Sequence, residues 1–338
     1  MKTGRLTLFL VVGIVVLVAL NLSLGSVSIP MKWVFGALMN QADTPEVFGN
    51  ILMKSRLPQT ITAALAGAGL AIAGLLMQTL FRNPLAGPSV MGISSGASLG
   101  VAAVVLLAGS GGLMGMSIYY ASIGAAFVGA FLVLLLISYF AARLHDNAML
   151  LIIGLMLGYI TSSLVSVLNF YATSESVHSY TLWGLGSFSG VGWSQMPLYA
   201  ILIVVGLLFA LAMPKWLNML LLGDRYASNL GLRVPRARLA VILVTGLLTA
   251  AITAFCGPIA FLGIAVPQVS RFLVGRNEHS VLLPITLLTG MFLALLCNLI
   301  ARLPGLEGAL PINAVTSFMG APIVIWVILD KRRQRLTI

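Results

Sequence analysis

The chain has 338 residues, of which 59% are apolar and only 8% charged, with a mean hydropathy of +1.06. A soluble domain carries about 25% charged residues, and a third of that cannot make a water-facing surface. Composition therefore excludes a soluble globular enzyme, a disordered chain and a secreted disulfide scaffold, and leaves an all-α polytopic membrane protein. The net charge of +11, from 19 Lys and Arg against 8 Asp and Glu, fits the basic cytoplasmic loops of such a protein better than nucleic-acid binding.

In chain order the apolar runs lie at 6–22, 57–81, 90–108, 119–142, 149–170, 195–213, 239–256, 258–274, 281–301 and 313–329. At about 20 residues per span, the apolar content allows about ten transmembrane helices. Helices are expected because lipid offers no partner to an unpaired backbone, and the runs are too long for the alternating strands of a β-barrel. The first run follows Lys2 and Arg5 and precedes small residues from Ser23 to Ser26, as in a signal peptide. Its length and the runs behind it favour a retained span. Run 258–274 is short and follows a Gly257-Pro258 break.

With the N-terminus in the cytoplasm, alternating spans put 15 Lys and Arg inside and 4 outside, the outer four being Lys32, Lys54, Arg56 and Arg302. The reverse orientation would defy the positive-inside rule, so both termini are predicted to be cytoplasmic. Trp33, Trp183, Trp193, Trp216 and Trp326 fall near span ends, where an aromatic belt belongs.

All eight acidic residues fall in predicted loops or at span edges. A secondary carrier usually keeps an ionisable group at depth, although hydroxyl and backbone oxygens also bind sodium. His145, His178 and His279 read as isolated loop histidines, and no G-x-x-x-x-G-K-[ST] phosphate loop occurs. Cys256 and Cys297 lie in apolar runs and read as packing residues. No catalytic, cofactor-binding or metal site is expected, so a pump built on this chain takes its energy from a partner.

Small residues recur at four-residue spacing in two runs: Gly92, Gly96 and Gly100, then Gly154, Gly158, Ser162 and Ser166 with Asn169 beyond. That spacing puts each set on one helix face, where small residues let helices approach. The glycine set reads as packing. The second set turns polar, which suits either packing or the lining of a pathway. Gly87-Pro88 with Met91-Gly92-Ile93 is echoed by Gly257-Pro258 with Leu262-Gly263-Ile264, the first on the predicted inner side and the second on the outer, as an inverted repeat would place them.

The largest inner loop, 214–238, holds Lys215, Asp224, Arg225, Arg233, Arg236 and Arg238 among several leucines. Ala227 to Leu230 is expected to form a short helix ended by Gly231. It reads either as a solvated connector or as a half-apolar docking element for a soluble partner; the length and the leucines favour docking.

From about residue 50 to 330 the chain resembles the permease subunits of ATP-driven importers for iron-siderophores, haem and vitamin B12. The resemblance is carried by Arg56-Leu57-Pro58, Gly74 to Gln78, Phe81-Arg82-Asn83-Pro84-Leu85-Ala86 and Leu230-Gly231-Leu232. It continues through Gly257-Pro258-Ile259-Ala260-Phe261-Leu262-Gly263 with Pro267, Ala301-Arg302, Leu310-Pro311 and Gly320-Ala321-Pro322. It implies ten spans in an inverted repeat, a homodimer or close heterodimer with the pathway between subunits, and a place in the bacterial inner membrane. Two cytoplasmic ATPase subunits, which bind ATP and Mg, would dock below, and a periplasmic substrate-binding protein outside. Loop 214–238 aligns with the family's coupling segment, so Asp224, Arg225, Ala227, Leu230 and Gly231 are expected to meet the ATPase. Asn83 and Leu85 match inner-gate positions of the vitamin B12 permease, and Asn147 falls near the second gate stretch. Arg56 and Arg302 match outer arginines that pair with glutamates of the binding protein. The third arginine of that set is Gln59 here, which puts that corner in doubt unless Lys54 substitutes.

The expected function is thus inward movement of an iron chelate, haem or cobalamin by alternating access at a dimer interface, past Ser162, Ser166 and Asn169. An ion-coupled secondary transporter working alone is the alternative, and a membrane scaffold or receptor the third option.

Overall fold

The computed structural model describes residues 3–39, 44–108, 118–144, 147–303 and 309–336. Their regular structure is helical: α1 (Thr3–Ser23), α2 (Met31–Leu38), α3 (Glu46–Ile51), α4 (Leu57–Leu80), α5 (Ile93–Ala108), α6 (Ile118–Arg143), α7 (Asn147–Tyr171), α8 (Ser174–Gly184), α9 (Met196–Leu211), α10 (Pro214–Leu221), α11 (Asp224–Asn229), α12 (Val234–Cys256), α13 (Leu262–Val274), α14 (His279–Ile300) and α15 (Ile312–Leu336). Among the described residues six helices are long and apolar enough to cross a membrane: α1, the continuous rod 46–80, α6, α7, α12 and α14. A seventh span results if α9 and α10, bent by 58° at their break, are taken as one. Three shorter apolar stretches follow in 93–107, 262–274 and 312–326.

Two edges differ from the apolar runs. The run starting at 57 belongs to a rod that begins at Glu46 and passes through a π-helical turn at Leu52–Arg56. The run starting at 258 becomes helical only at Leu262, because Gly257 (φ 74°) and Phe261 (φ 65°) take left-handed backbone between two helices.

α4 is the hub, packed on α14, α12, α13 and α9. Close approach explains its glycines. A Cβ on Gly67 would overlap the Gly290 carbonyl of α14, and one on Gly74 would overlap the Gly263 carbonyl of α13. Backbones in lipid associate by such contacts, since apolar side chains gain nothing over lipid tails. The glycine stripe of α5 does the same: Gly96 and Gly100 sit against Gly129 and Ala125 of α6.

The two Gly-Pro breaks pass each other inside the bundle. A Cβ on Gly263 would lie 2.6 Å from Pro88 Cδ, and one on Gly87 would lie 2.8 Å from Ile264 Cγ1. Further along, Ser94 Oγ lies 3.3 Å from Thr253 Oγ1. The start of the first copy therefore meets the end of the second, in antiparallel sense. α5 and α13, the helices that follow the two breaks, are short, at 16 and 13 residues.

Candidate functional site

Loop 214–238 folds into α10, α11 and the first turn of α12. Gly223 (φ 100°) and Gly231 (φ 87°) bracket α11, where a side chain would be strained. The Gly231 N–H donates to Ser228 O at 2.9 Å and the Leu232 N–H to Ala227 O at 3.0 Å, closing the helix close to where the sequence places its end. The expected coupling residues divide. Arg225, Leu230 and Gly231 are exposed, beside Tyr226 at 69%, whereas Ala227 is buried. Asp224 faces the body of the protein: Arg238 Nη2 donates to its Oδ2 at 2.9 Å, and Arg82 Nη2 lies 4.0 Å from its Oδ1. Arg238 is buried and donates through Nη1 to Leu144 O at 2.8 Å. The Asp224 carboxylate thus ties α11 to the start of α12 and faces the segment after α4, while Arg238 carries the link on to the segment after α6.

That last segment contains the expected gate. Arg82 has φ 48°, unusual for a side-chain-bearing residue, and reverses the chain after α4. Asn83 Oδ1 accepts from the Leu85 N–H at 2.9 Å and Asn83 O accepts from the Ala86 N–H at 3.1 Å, a local asparagine turn. Gln268 Nε2 of α13 holds Pro84 O at 2.7 Å. Leu85 projects from this turn, 40% exposed. Asn147 is the first residue of α7; its side chain lies outside the described residues.

On α7 the four-residue series separates by depth. Gly154 is buried, with its carbonyl against Gly92, and Gly158 faces Ser95. Ser162 and Ser166 are exposed in the single chain, Ser166 Oγ donating to Ser162 O at 3.0 Å, and Asn169 is half-buried.

At the opposite end, Arg56 departs from expectation. It is 1% exposed and cannot meet a partner at the surface in this conformation. Its Nη1 donates to Leu22 O and Ser23 O, each at 2.7 Å, and its Nη2 donates to Val27 O. The end of α1 leaves carbonyls without helical partners, and the guanidinium collects them. Arg302 is half-exposed and close by: a Cβ on Gly25 would lie 2.9 Å from Arg56 Nη2 and 3.5 Å from Arg302 Nη2. Burial lowers the Arg302 pKa from its ordinary value. Gln59 is also buried, donating through Nε2 to Asn298 Oδ1 at 3.0 Å, while Asn298 Nδ2 donates to Asn21 Oδ1 at 2.8 Å. This amide chain joins α4, α14 and α1. Lys54 is exposed.

His279 corrects another reading. It is not a solvated loop histidine but 1% exposed at the head of α14. Asn218 Oδ1 accepts from its backbone N–H at 3.0 Å and lies 2.8 Å from Nδ1, and Thr79 Oγ1 lies 2.8 Å from Nε2. No local pattern announces this, because the partners lie 61 and 200 residues away in the chain. His178 is exposed on α8, and His145 lies outside the described residues.

Comparison with known proteins gives a consistent picture. The profile of the FecCD transport family matches residues 13–330. The vitamin B12 import system permease protein BtuC of Salmonella typhi is 38% identical over 278 residues, covering 82% of this chain and 83% of that protein. BtuC of Citrobacter koseri is also 38% identical over 278 residues, covering 82% of each. A solved structure described as an inward-facing conformation of a metal-chelate type ABC transporter superposes with a TM-score of 0.82 at 28% identity, over 97% of this chain and 99% of that one.

Proposed function

This multi-pass membrane protein belongs to the FecCD transport family, and from that premise we propose that it is the permease subunit of an ATP-driven importer of an iron chelate, haem or cobalamin. The observation that supports this most is the near full-length match to permeases of vitamin B12 import. Ten spans would be α1, the rod ending in α4, α5, α6, α7, α9 with α10, α12, α13, α14 and α15, with both termini in the cytoplasm of a bacterial inner membrane.

In this reading two permease subunits, alike or closely related, flank the pathway, and the exposed face of α7 with Ser162, Ser166 and Asn169 lines it through contacts weak enough to release substrate. Two ATPase subunits bind ATP and Mg and dock on Arg225, Leu230 and Gly231. Their movement reaches the gate through Asp224, which is bonded to Arg238 and faces Arg82, the residue next to Asn83. Asn83 and Leu85 with Asn147 of α7 then close or open the inner end. A periplasmic binding protein docks on Arg302, beside the buried Arg56. Ion pairs at such a rim set register and association rate more than affinity.

Reconstitution tests the proposal. The purified chain in lipid vesicles is expected to move no substrate until ATPase subunits, a binding protein and ATP are supplied. Uptake driven by a proton or sodium gradient through the chain alone would overturn it.

A further inference from the structure

A cavity of about 270 Å3 opens at the end of the bundle that carries α10 and α11, where α4 and α13 end and α14 begins. Arg82 and Arg271 line it, with Gln78 and Asn277 beside them and Leu221 and Leu282 as apolar wall. Among the described residues no carboxylate lines it. Of the neighbouring acids, Asp224 is held mainly by Arg238 at 2.9 Å and pairs with Arg82 only at 4.0 Å, and Glu278 accepts from the Ser280 hydroxyl.

Arg271 is held in place rather than neutralised. Its Nη1 donates to Gln78 Oε1, an oxygen that Gln268 Nε2 also reaches at 2.9 Å, while Gln268 is anchored on Pro84 O. A guanidinium has five N–H donors, and an amide oxygen takes up one without matching the charge. The wall behind is set by His279, whose ring nitrogens lie against Asn218 and Thr79. A positioned arginine fork and a second arginine beside it, at the end of an apolar bundle, present two-point recognition for a tetrahedral oxyanion. The leucines add room for an apolar stem. Basic pockets between membrane helices hold anionic headgroups in this way.

The geometry points to a phosphate oxyanion site at Arg82 and Arg271, filled by the headgroup of an anionic phospholipid or by free phosphate. This goes beyond the importer reading and rests on it only in assigning this end to the cytoplasmic leaflet; binding to the chain alone is measured without transport. Wild type, Arg82→Gln, Arg271→Gln and Arg271→Lys are purified in detergent, and native mass spectrometry follows retention of phosphatidylglycerol against phosphatidylcholine. Titration calorimetry follows inorganic phosphate. Retention of phosphatidylglycerol over phosphatidylcholine, falling about fivefold per lost arginine and only partly restored in Arg271→Lys, which keeps the charge but not the fork, supports the site with a lipid occupant. Phosphate binding weakened by Arg82→Gln without a lipid preference supports it with free phosphate. Binding of neither, or binding unchanged in Arg82→Gln and Arg271→Gln at unaltered melting temperature, overturns it. Arg82 is largely exposed, with 46% of its side chain accessible, so its variant keeps the test open should Arg271→Gln fail to fold.

Discussion

α4 and α7 are both long and apolar, of comparable hydropathy, yet the most apolar stretch of the α4 rod is 89% buried and that of α7 only 17%. Hydropathy puts a helix into a bilayer but does not draw it toward other helices, because lipid tails solvate leucine as well as a protein core does. What separates the two is size. α4 has nine Gly and Ala among its 24 residues, and its glycines touch backbone on α13 and α14. α7 has three among 25, with Leu155, Tyr159, Ile160, Leu164 and Val167 turned outward. A central helix in this protein is one that neighbours can approach; a peripheral one keeps its bulk for lipid or for another subunit.

The comparison breaks most severely at Gly74. Gly74→Leu would drive side-chain atoms into the Gly263 carbonyl, a backbone atom that cannot step aside. The expected loss is about 3 kcal/mol or more, seen as loss of monodisperse protein in size exclusion. On α7 a Cβ at Gly158 meets nothing nearer than Ser95 Oγ at 3.6 Å, so Gly158→Leu is expected to leave the single chain folded. Equal damage from both would remove the distinction.

Next comes the Arg56 end of the α4 rod. Arg56→Gln strands the carbonyls of Leu22 and Val27 and leaves Ser23 O only the Ile29 N–H, at an expected cost of about 2 kcal/mol in thermal unfolding. An unchanged melting temperature would show that Arg56 is free for a partner, as its place in the sequence suggests. A smaller effect belongs to the amide chain. Asn298→Leu leaves Gln59 and Asn21 short of partners, and interhelical hydrogen bonds in membranes average about 0.6 kcal/mol, so a drop of about 1 kcal/mol is expected.

The smallest effect on stability, and the sharpest on function, is expected on α7. Ser162→Leu with Ser166→Leu should change unfolding by less than about 0.5 kcal/mol, as exposed positions do. Uptake in reconstituted vesicles with the ATPase subunits present should fall several-fold. Normal uptake would take the pathway away from this face.

Much of this was readable along the chain. Apolar run length located the long helices, because a span must cross a fixed hydrocarbon thickness. The glycine after Leu230 marked the end of α11, since a left-handed residue there strains anything larger. The repeated Gly-Pro signal marked two breaks, because proline lacks the donor that a continuing helix needs. The candidate site was less readable. Asn83, Leu85 and Arg225 could be proposed from resemblance, but that Asp224 faces inward to Arg238 while Arg225 faces out depends on which side of a six-residue helix meets the bundle.

The opening figures, 8% charged and a net charge of +11, are determined by sequence alone, and so is the membrane class. Those properties follow from transfer out of water, which acts residue by residue. Whether a particular charge is offered or consumed was decided only by tertiary structure. Arg56 reads as a surface cation and is buried among three carbonyls, His279 reads as solvated and is walled in, and Arg271 ends an apolar run yet lines a cavity beside Arg82. The reason is that hydrogen bonds and ion pairs are made between groups that are adjacent in space, and their partners here come from helices tens to hundreds of residues away.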